Sequence, residues 1–130
     1  MNVPTNLKYA KTDEWVKLDG KVATIGISDY AQSQLSDVVY VEVIVSENDA
    51  VKKNSTIATI ESVKAAADVN SPVSGKVVAV NEALPQTPEL VNNDPFGQAW
   101  MIRVEMGEPA ETRQLMNSDG YAKYCQERSH

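Results

Sequence analysis

One histidine and one cysteine stand in this 130-residue chain, and that scarcity excludes most self-contained catalysis. His130 is the last residue and Cys125 lies five before it. A Ser-His-Asp triad, a Cys-His pair, a zinc cluster and an internal disulfide therefore all lack parts, and no metal site is expected. Basic residues are also few. Twelve Lys plus Arg against eighteen Asp plus Glu give a net charge of −6 and an isoelectric point near 4.7. Such a balance disfavours nucleic acid and anionic membrane and suits protein partners. No apolar run reaches the roughly 18 residues of a membrane span, and the first ten residues lack the pattern of a targeting segment. A single Cys fits a reducing compartment. The expected setting is a bacterial cytoplasm, which Met1 favours, or a mitochondrion, for a mature chain stripped of its presequence.

What is present is globular: 42% hydrophobic and 23% charged residues, with six Gly and six Pro. That composition and length predict one domain, residues 1–130, acting as a monomer. The pattern along the chain is mainly β. Asp19-Gly20 reads as a turn into a strand at Val22–Ile27, and Ser28 as the N-cap of a short helix with Ala31 and Leu35 on one face. Val38–Val45 is the strongest strand, with Val39, Val41, Val43 and Val45 lining one face. Asn48-Asp49 ends it. Two further strands, about Thr56–Val63 and Ala67–Asn70, would meet in a hairpin with Lys64 at its turn.

Ser71 to Gly75 is dense in turn formers, and Lys76–Val80 carries apolar residues on both faces, as a doubly buried strand would. Pro88 to Val91 reads as one helical turn. Trp100, Ile102, Val104 and Met106 alternate with Met101, Arg103 and Glu105 in an amphipathic strand. Ser118 is expected to cap a final helix with Tyr121, Tyr124 and Cys125 on one face. Gly20-Lys21-Val22-Ala23 is echoed by Gly75-Lys76-Val77-Val78, and Val41-Glu42-Val43 by Val104-Glu105-Met106. The echo suits two pseudo-symmetric halves, although Val-rich strands also resemble one another by coincidence.

Lys64 stands out on physical grounds: it is the only base between Asn54 and Gly75, its neighbours Ala65, Ala66 and Ala67 are small, and it sits where two strands turn. A lysine on a turn is also among the commonest surface arrangements. The surrounding string separates the two readings. Glu61-Ser62-Val63-Lys64-Ala65, then Asp68-Val69-Asn70-Ser71-Pro72-Val73-Ser74-Gly75, resembles the lipoate attachment region of the glycine cleavage system H proteins, members of the lipoyl and biotinyl carrier family. Glu14-Trp15-Val16, Gly26 to Gln32, Val39-Tyr40-Val41-Glu42, Val80 to Leu84, Pro88 to Asn92, Asp94 to Gly97 and Trp100 resemble further segments of that family, in order.

Departures mark where the carry-over could fail. Asp13 stands where the family usually has His, Ser36 and Ala99 where it usually has Gly, and Val43 to Glu47 replaces a Leu-Pro-x-x-Gly segment. Two lost glycines predict slightly altered turns, and Asp13 removes the usual His from beside the arm.

The resemblance implies a flattened barrel or sandwich of two pseudo-symmetric halves with a few short helices, one of them C-terminal. It implies a lipoyl carrier rather than an enzyme, with lipoate in amide linkage on Lys64 carrying the aminomethyl group of glycine. The implied partners are glycine decarboxylase, a pyridoxal-phosphate enzyme, then the aminomethyltransferase and dihydrolipoamide dehydrogenase, together with lipoate-attaching enzymes. By position in the resemblance, Glu14, Thr12 and Asp68 are candidates to line the cleft that shelters the arm. Trp15 and Trp100 are expected to pack, and Cys125 to sit in the core. Two other readings stay open: a paralogue acting as lipoyl donor or relay in protein lipoylation or with another redox partner, and an unmodified binding module on the same fold. Biotin carriage is disfavoured by Val63 and Ala65, where biotin carriers have Met.

Overall fold

A computed structural model describes residues 1–128 of the chain; His130 lies outside them. The strands are β1 (Lys8–Tyr9), β2 (Glu14–Asp19), β3 (Val22–Ile27), β4 (Val38–Val43), β5 (Ala50–Val51), β6 (Thr56–Ser62), β7 (Ala66–Asn70), β8 (Gly75–Val80) and β9 (Ile102–Met106). The helices are α1 (Asp29–Leu35), α2 (Leu90–Asn93) and α3 (Ser118–Arg128), with a 3-10 segment at Pro109–Gln114. Two antiparallel sheets result, one of six strands in the order β1-β2-β3-β9-β8-β5 and one of three in the order β4-β6-β7. The mainly β architecture with short helices and a C-terminal helix matches the expectation. Ala23 of β3 and Val77 of β8 both lie opposite Val104 of β9, so the two Gly-Lys-Val echoes flank one shared strand.

Local chemistry explains several boundaries. Gly20 has φ +61 and turns β2 into β3, a conformation in which a Cβ is penalised. The Ser28 hydroxyl accepts from the Ala31 amide at 3.2 Å and caps α1 as predicted. At Gly75 a Cβ would come within 2.1 Å of the Glu105 carbonyl oxygen, so glycine alone lets β8 approach β9. The Ser71–Gly75 turn is clamped from far along the chain, since the Ser74 amide and hydroxyl both donate to Glu111, at 2.7 and 2.8 Å.

Four sequence expectations need correction. β4 ends at Val43 and carries a bulge between Val38 and Tyr40, which turns Val39 outward to 56% exposure; the Val39-Val41-Val43-Val45 face is therefore broken at its start. In β8 only Val77 is wholly buried, because another bulge, between Val77 and Ala79, interrupts its pairing with β9. β9 begins at Ile102, and Met101 is buried rather than facing outward with Arg103 and Glu105. The cap of α3 is Asn117: its side-chain oxygen accepts from the Gly120 amide at 2.8 Å and its carbonyl from the Tyr121 amide at 2.9 Å. Ser118 is the first residue inside that helix.

The core has two parts. The main one lies between the sheets and gathers Val16, Ile25, Val41, Ile57, Ile60, Leu84, Ile102 and Val104. The second gathers Leu7, Tyr9, Trp15, Tyr121 and Cys125 beneath α3, which meets the expectation for Trp15 and Cys125. Tyr9 and Tyr121 stack with centroids 4.6 Å apart.

Candidate functional site

The β6–β7 hairpin closes on Val63 and Lys64, since the Ser62 amide donates to the Ala65 carbonyl at 2.7 Å. Ser62 also braces the tip with its side chain. Its hydroxyl accepts from the amides of Lys64 (3.3 Å) and Ala65 (2.9 Å) and donates to the Ala65 carbonyl (2.9 Å). The Val63 amide donates to the Asp37 carbonyl at 3.0 Å, tying the tip to the start of β4. Lys64, Ala65 and Ala66 are all exposed, and among the described residues Lys64 makes no ion pair. A primary amine is thus presented on a short, rigid, uncrowded turn, the arrangement that acylation by another enzyme requires.

Ser36, just before β4, has φ 65 and ψ −150. That region suits glycine and costs another residue about 1–3 kcal/mol. Ser36 thus holds a positive φ that glycine would take without penalty. Asn92 of α2 supports the stretch: its side-chain amide donates to the Ser36 carbonyl at 2.8 Å and its oxygen accepts from the Val38 amide at 2.8 Å. Ala99 needs no positive φ and is simply buried.

The β1–β2 turn builds a different environment. The Asp13 amide donates to the Ala10 carbonyl and the Ala10 amide to the Glu14 carbonyl, with Asp13 at φ 80, a left-handed position that Asp tolerates better than most residues. Thr12 lies in the turn and Glu14 begins β2. Glu14 is 1% exposed. It accepts from the Thr12 hydroxyl through one oxygen and from the Asn70 amide, at 3.2 Å, through the other. Burial pushes its carboxyl up from 4.5 to about 7 against these two hydrogen bonds, with a further upward push from Asp13.

Thr12, Asp13, Glu14 and Asp68 border one half-open cleft of about 180 Å³, whose apolar walls include Ala31, Leu35, Ile60 and Ala67. The volume equals about six waters. The structure thus brings together the three cleft candidates Glu14, Thr12 and Asp68, although Asp68 is exposed and makes no hydrogen bond with the other two. It stands four residues from Lys64, at most about 14 Å along the chain. A hollow of about 580 Å³ beside Val43, Glu47 and Asn81 contains none of the four candidates.

Asp13 is turned to structure. Its carboxylate accepts from the Tyr121 hydroxyl at 2.8 Å and pairs with Arg128. The Tyr121 hydroxyl lies 2.5 Å from the Ser28 hydroxyl, and the Arg128 guanidinium lies over the rings of Tyr30 and Tyr124. Burial raises the Tyr121 hydroxyl's pKa above its ordinary value. Burial works against the Arg128 charge, but Asp13 outweighs it and the pKa rises. Sequence reasoning missed Ser28, Tyr121 and Arg128 as supports of this turn; 93 to 115 residues separate the partners, and no local pattern links them.

The chain resembles known proteins over nearly its whole length. A model of the family described as glycine cleavage H-protein matches residues 7–128. The chain is 52% identical to the mitochondrial glycine cleavage system H protein 2 of Arabidopsis thaliana, over 94% of this chain and 78% of that one. It is 49% identical to the glycine cleavage system H protein of Thermotoga maritima, over 91% and 94% respectively. In fold it is similar to a solved glycine cleavage system H protein from Mycobacterium marinum, with a TM-score of 0.81 at 24% identity, covering 98% of this chain and all of that one.

Proposed function

The chain belongs to the glycine cleavage H-protein family, and from that premise we propose that Lys64 is the residue that carries its lipoate. The protein is a lipoyl carrier of the glycine cleavage system, not a catalyst, and it works with that system's other components. The observation that supports Lys64 is the Ser62-braced tip, where an exposed amine without an ion pair stands clear of bulky neighbours. Residues 1–130 act as one carrier domain and as a monomer. Its relatives come from bacteria and from plant mitochondria, and we place it in one of those two compartments.

Bound lipoate supplies the disulfide and redox chemistry that the chain's own side chains lack. The partners we assign are glycine decarboxylase, the aminomethyltransferase, dihydrolipoamide dehydrogenase and the lipoate-attaching enzymes. The chain's own residues do the sheltering. A lysine lengthened by an eight-carbon acyl chain is long enough to cover the stretch from Lys64 to Asp68, at most about 14 Å. Glu14 and Thr12 then offer a carboxyl and a hydroxyl inside a cavity walled by Ile60, Leu35 and Ala67. With its carboxyl near 7, Glu14 can exchange a proton at neutral pH, and it holds a cationic amine once ionised. The apolar walls keep bulk water away from that amine.

Intact-mass analysis of the chain expressed with a working lipoylation pathway tests the attachment. One lipoyl adduct on the wild-type chain and none on Lys64→Arg, with unchanged thermal stability, is expected. An adduct that survives Lys64→Arg, or a wild-type chain that stays unmodified, sinks the assignment.

A further inference from the structure

The arm cleft has two walls built on different elements. Thr12 and Glu14 stand on the β1–β2 turn and the start of β2, while Ala31, Gln34 and Leu35 stand on α1. At their base the walls meet where Glu14 pairs with Ile27 and the Ser28 amide donates to the Asp13 carbonyl at 2.9 Å. None of the described residues of α3 lines the cleft, yet α3 adds two further ties, and each touches both sides.

The Tyr121 phenol has one proton, which goes to the Asp13 carboxylate at 2.8 Å. It therefore accepts from the Ser28 hydroxyl, 2.5 Å away, whose oxygen in turn accepts from the Ala31 amide. A directed chain of bonds thus runs from Ala31 in one wall, through Ser28 and Tyr121, to Asp13 between Thr12 and Glu14. Arg128 makes the second tie, pairing with Asp13 and lying over the ring of Tyr30 in α1. Tyr121 and Ser28 are each 1% exposed, so water does not replace a bond lost from this chain. Packing alone does not call for the hydroxyl: phenylalanine would fill the stack on Tyr9 equally well.

We propose that Tyr121 is a positioning residue for the arm cleft, its hydroxyl holding the Glu14 turn at a fixed distance from α1, with Arg128 as the second tie. The proposal rests on Glu14 and Thr12 as the shelter of the arm. The separation of the walls governs how much water reaches Glu14, and burial is the largest cause of its raised pKa. Removing the Tyr121 hydroxyl changes no charge among the other ionisable groups at the cleft, which are Asp13 with its partner Arg128 on the turn side and Asp68 on β7. A fall in the Glu14 value then reports added water.

NMR titration of the Glu14 carboxyl carbon in unmodified chains tests this, with Tyr121→Phe as the variant and Tyr9→Phe as its control. The control removes the other hydroxyl of the same stacked pair, one that bonds to the Pro4 carbonyl at 2.7 Å. Tyr121→Phe is expected to lower the Glu14 midpoint by about 0.5–1 pH unit and to speed amide exchange at Ala31 several-fold, whereas Tyr9→Phe moves neither. Ser28→Ala breaks the same chain of bonds from the α1 side; it is expected to lower the midpoint likewise, and it decides the matter if Tyr121→Phe fails to fold. An unmoved midpoint in the folded variant, or equal shifts in Tyr121→Phe and Tyr9→Phe, overturns the positioning role. The shelter reading is tested separately, in the lipoylated chain loaded with the aminomethyl group. Hydrolysis there consumes one water, frees formaldehyde and ammonium and leaves the arm's sulfur as a thiol, and Glu14→Ala is expected to speed it several-fold. An unchanged release rate refutes the shelter instead, and leaves the Glu14 and Ala31 results as they stand.

Discussion

Two turns carry the proposed attachment and cleft residues, and they are built in opposite ways. The β6–β7 tip is closed by its own residues, with Ser62 bonding to Lys64 and Ala65, and its side chains lie in solvent. The β1–β2 turn, which positions Thr12 and Glu14, is held from afar by Tyr121 and Arg128 through Asp13, and Glu14 is buried. A group that other enzymes must reach needs exposure and a stiff local turn. One that shelters a reactive amine needs walls, and walls come from distant parts of the chain.

The largest test of this contrast is pH. With its carboxyl raised by burial from 4.5 to about 7, Glu14 holds its proton more tightly in the folded than in the unfolded chain. Stability contributed by that proton is complete below about 4.5 and is lost as pH rises through about 7, a change of about 3 kcal/mol in all. Glu14→Gln keeps an oxygen for the Asn70 amide and an NH₂ for the Thr12 hydroxyl without a charge to bury. Urea unfolding at pH 5 and pH 8 is expected to show the Gln chain gaining on the wild type by about 2.5 kcal/mol between the two, the rest of the change falling below pH 5. Parallel pH profiles would mean that Glu14 is not desolvated and that the two turns are alike.

The same contrast decides what was legible in the sequence. Lys64 and its hairpin could be read because the bonds that close the tip run between Ser62, Lys64 and Ala65, and period-two strands announce their own turns; the Val63 tie to Asp37 is the one part that could not. The boundaries of β3 and α1 were equally local, through Gly20 and Ser28. Thr12, Glu14 and Asp68 came from resemblance, and nothing in their spacing showed a shared cavity. Bulges at Val39 and in β8 escaped because alternation alone cannot reveal an extra residue in one strand. The Asn117 cap escaped because Ser118, next to it, carries an equally suitable side chain. Glu111 and Arg128 were invisible for the reason that makes them useful, namely that each closes a contact across many residues.

A smaller effect separates the Asp13 charge from its backbone role. Asp13→Asn keeps an acceptor and a residue tolerant of φ 80, but leaves Arg128 beside two rings without its counter-ion. The pair is partly buried, so a loss of about 1–2 kcal/mol is expected, between surface and buried values. Hydrogen exchange should localise that loss to α3 and the β1–β2 turn, with the Lys64 tip unchanged. Faster exchange at Lys64 and Ala65 would show the two turns to be mechanically linked.

Ser62→Ala gives the reciprocal experiment and the smallest effect. Three hydrogen bonds at an exposed turn disappear together, yet water replaces the lost partner for each amide, so about 0.5–1 kcal/mol is expected. The Lys64 and Ala65 amides should exchange several-fold faster, and lipoylation should slow modestly because the amine is less well held. The Glu14 titration should not move, since no bond of Ser62 reaches the cavity residues. A shift of that titration would require the tip to shape the cavity, and exposure and shelter would then be properties of one cooperative unit rather than of two independent turns.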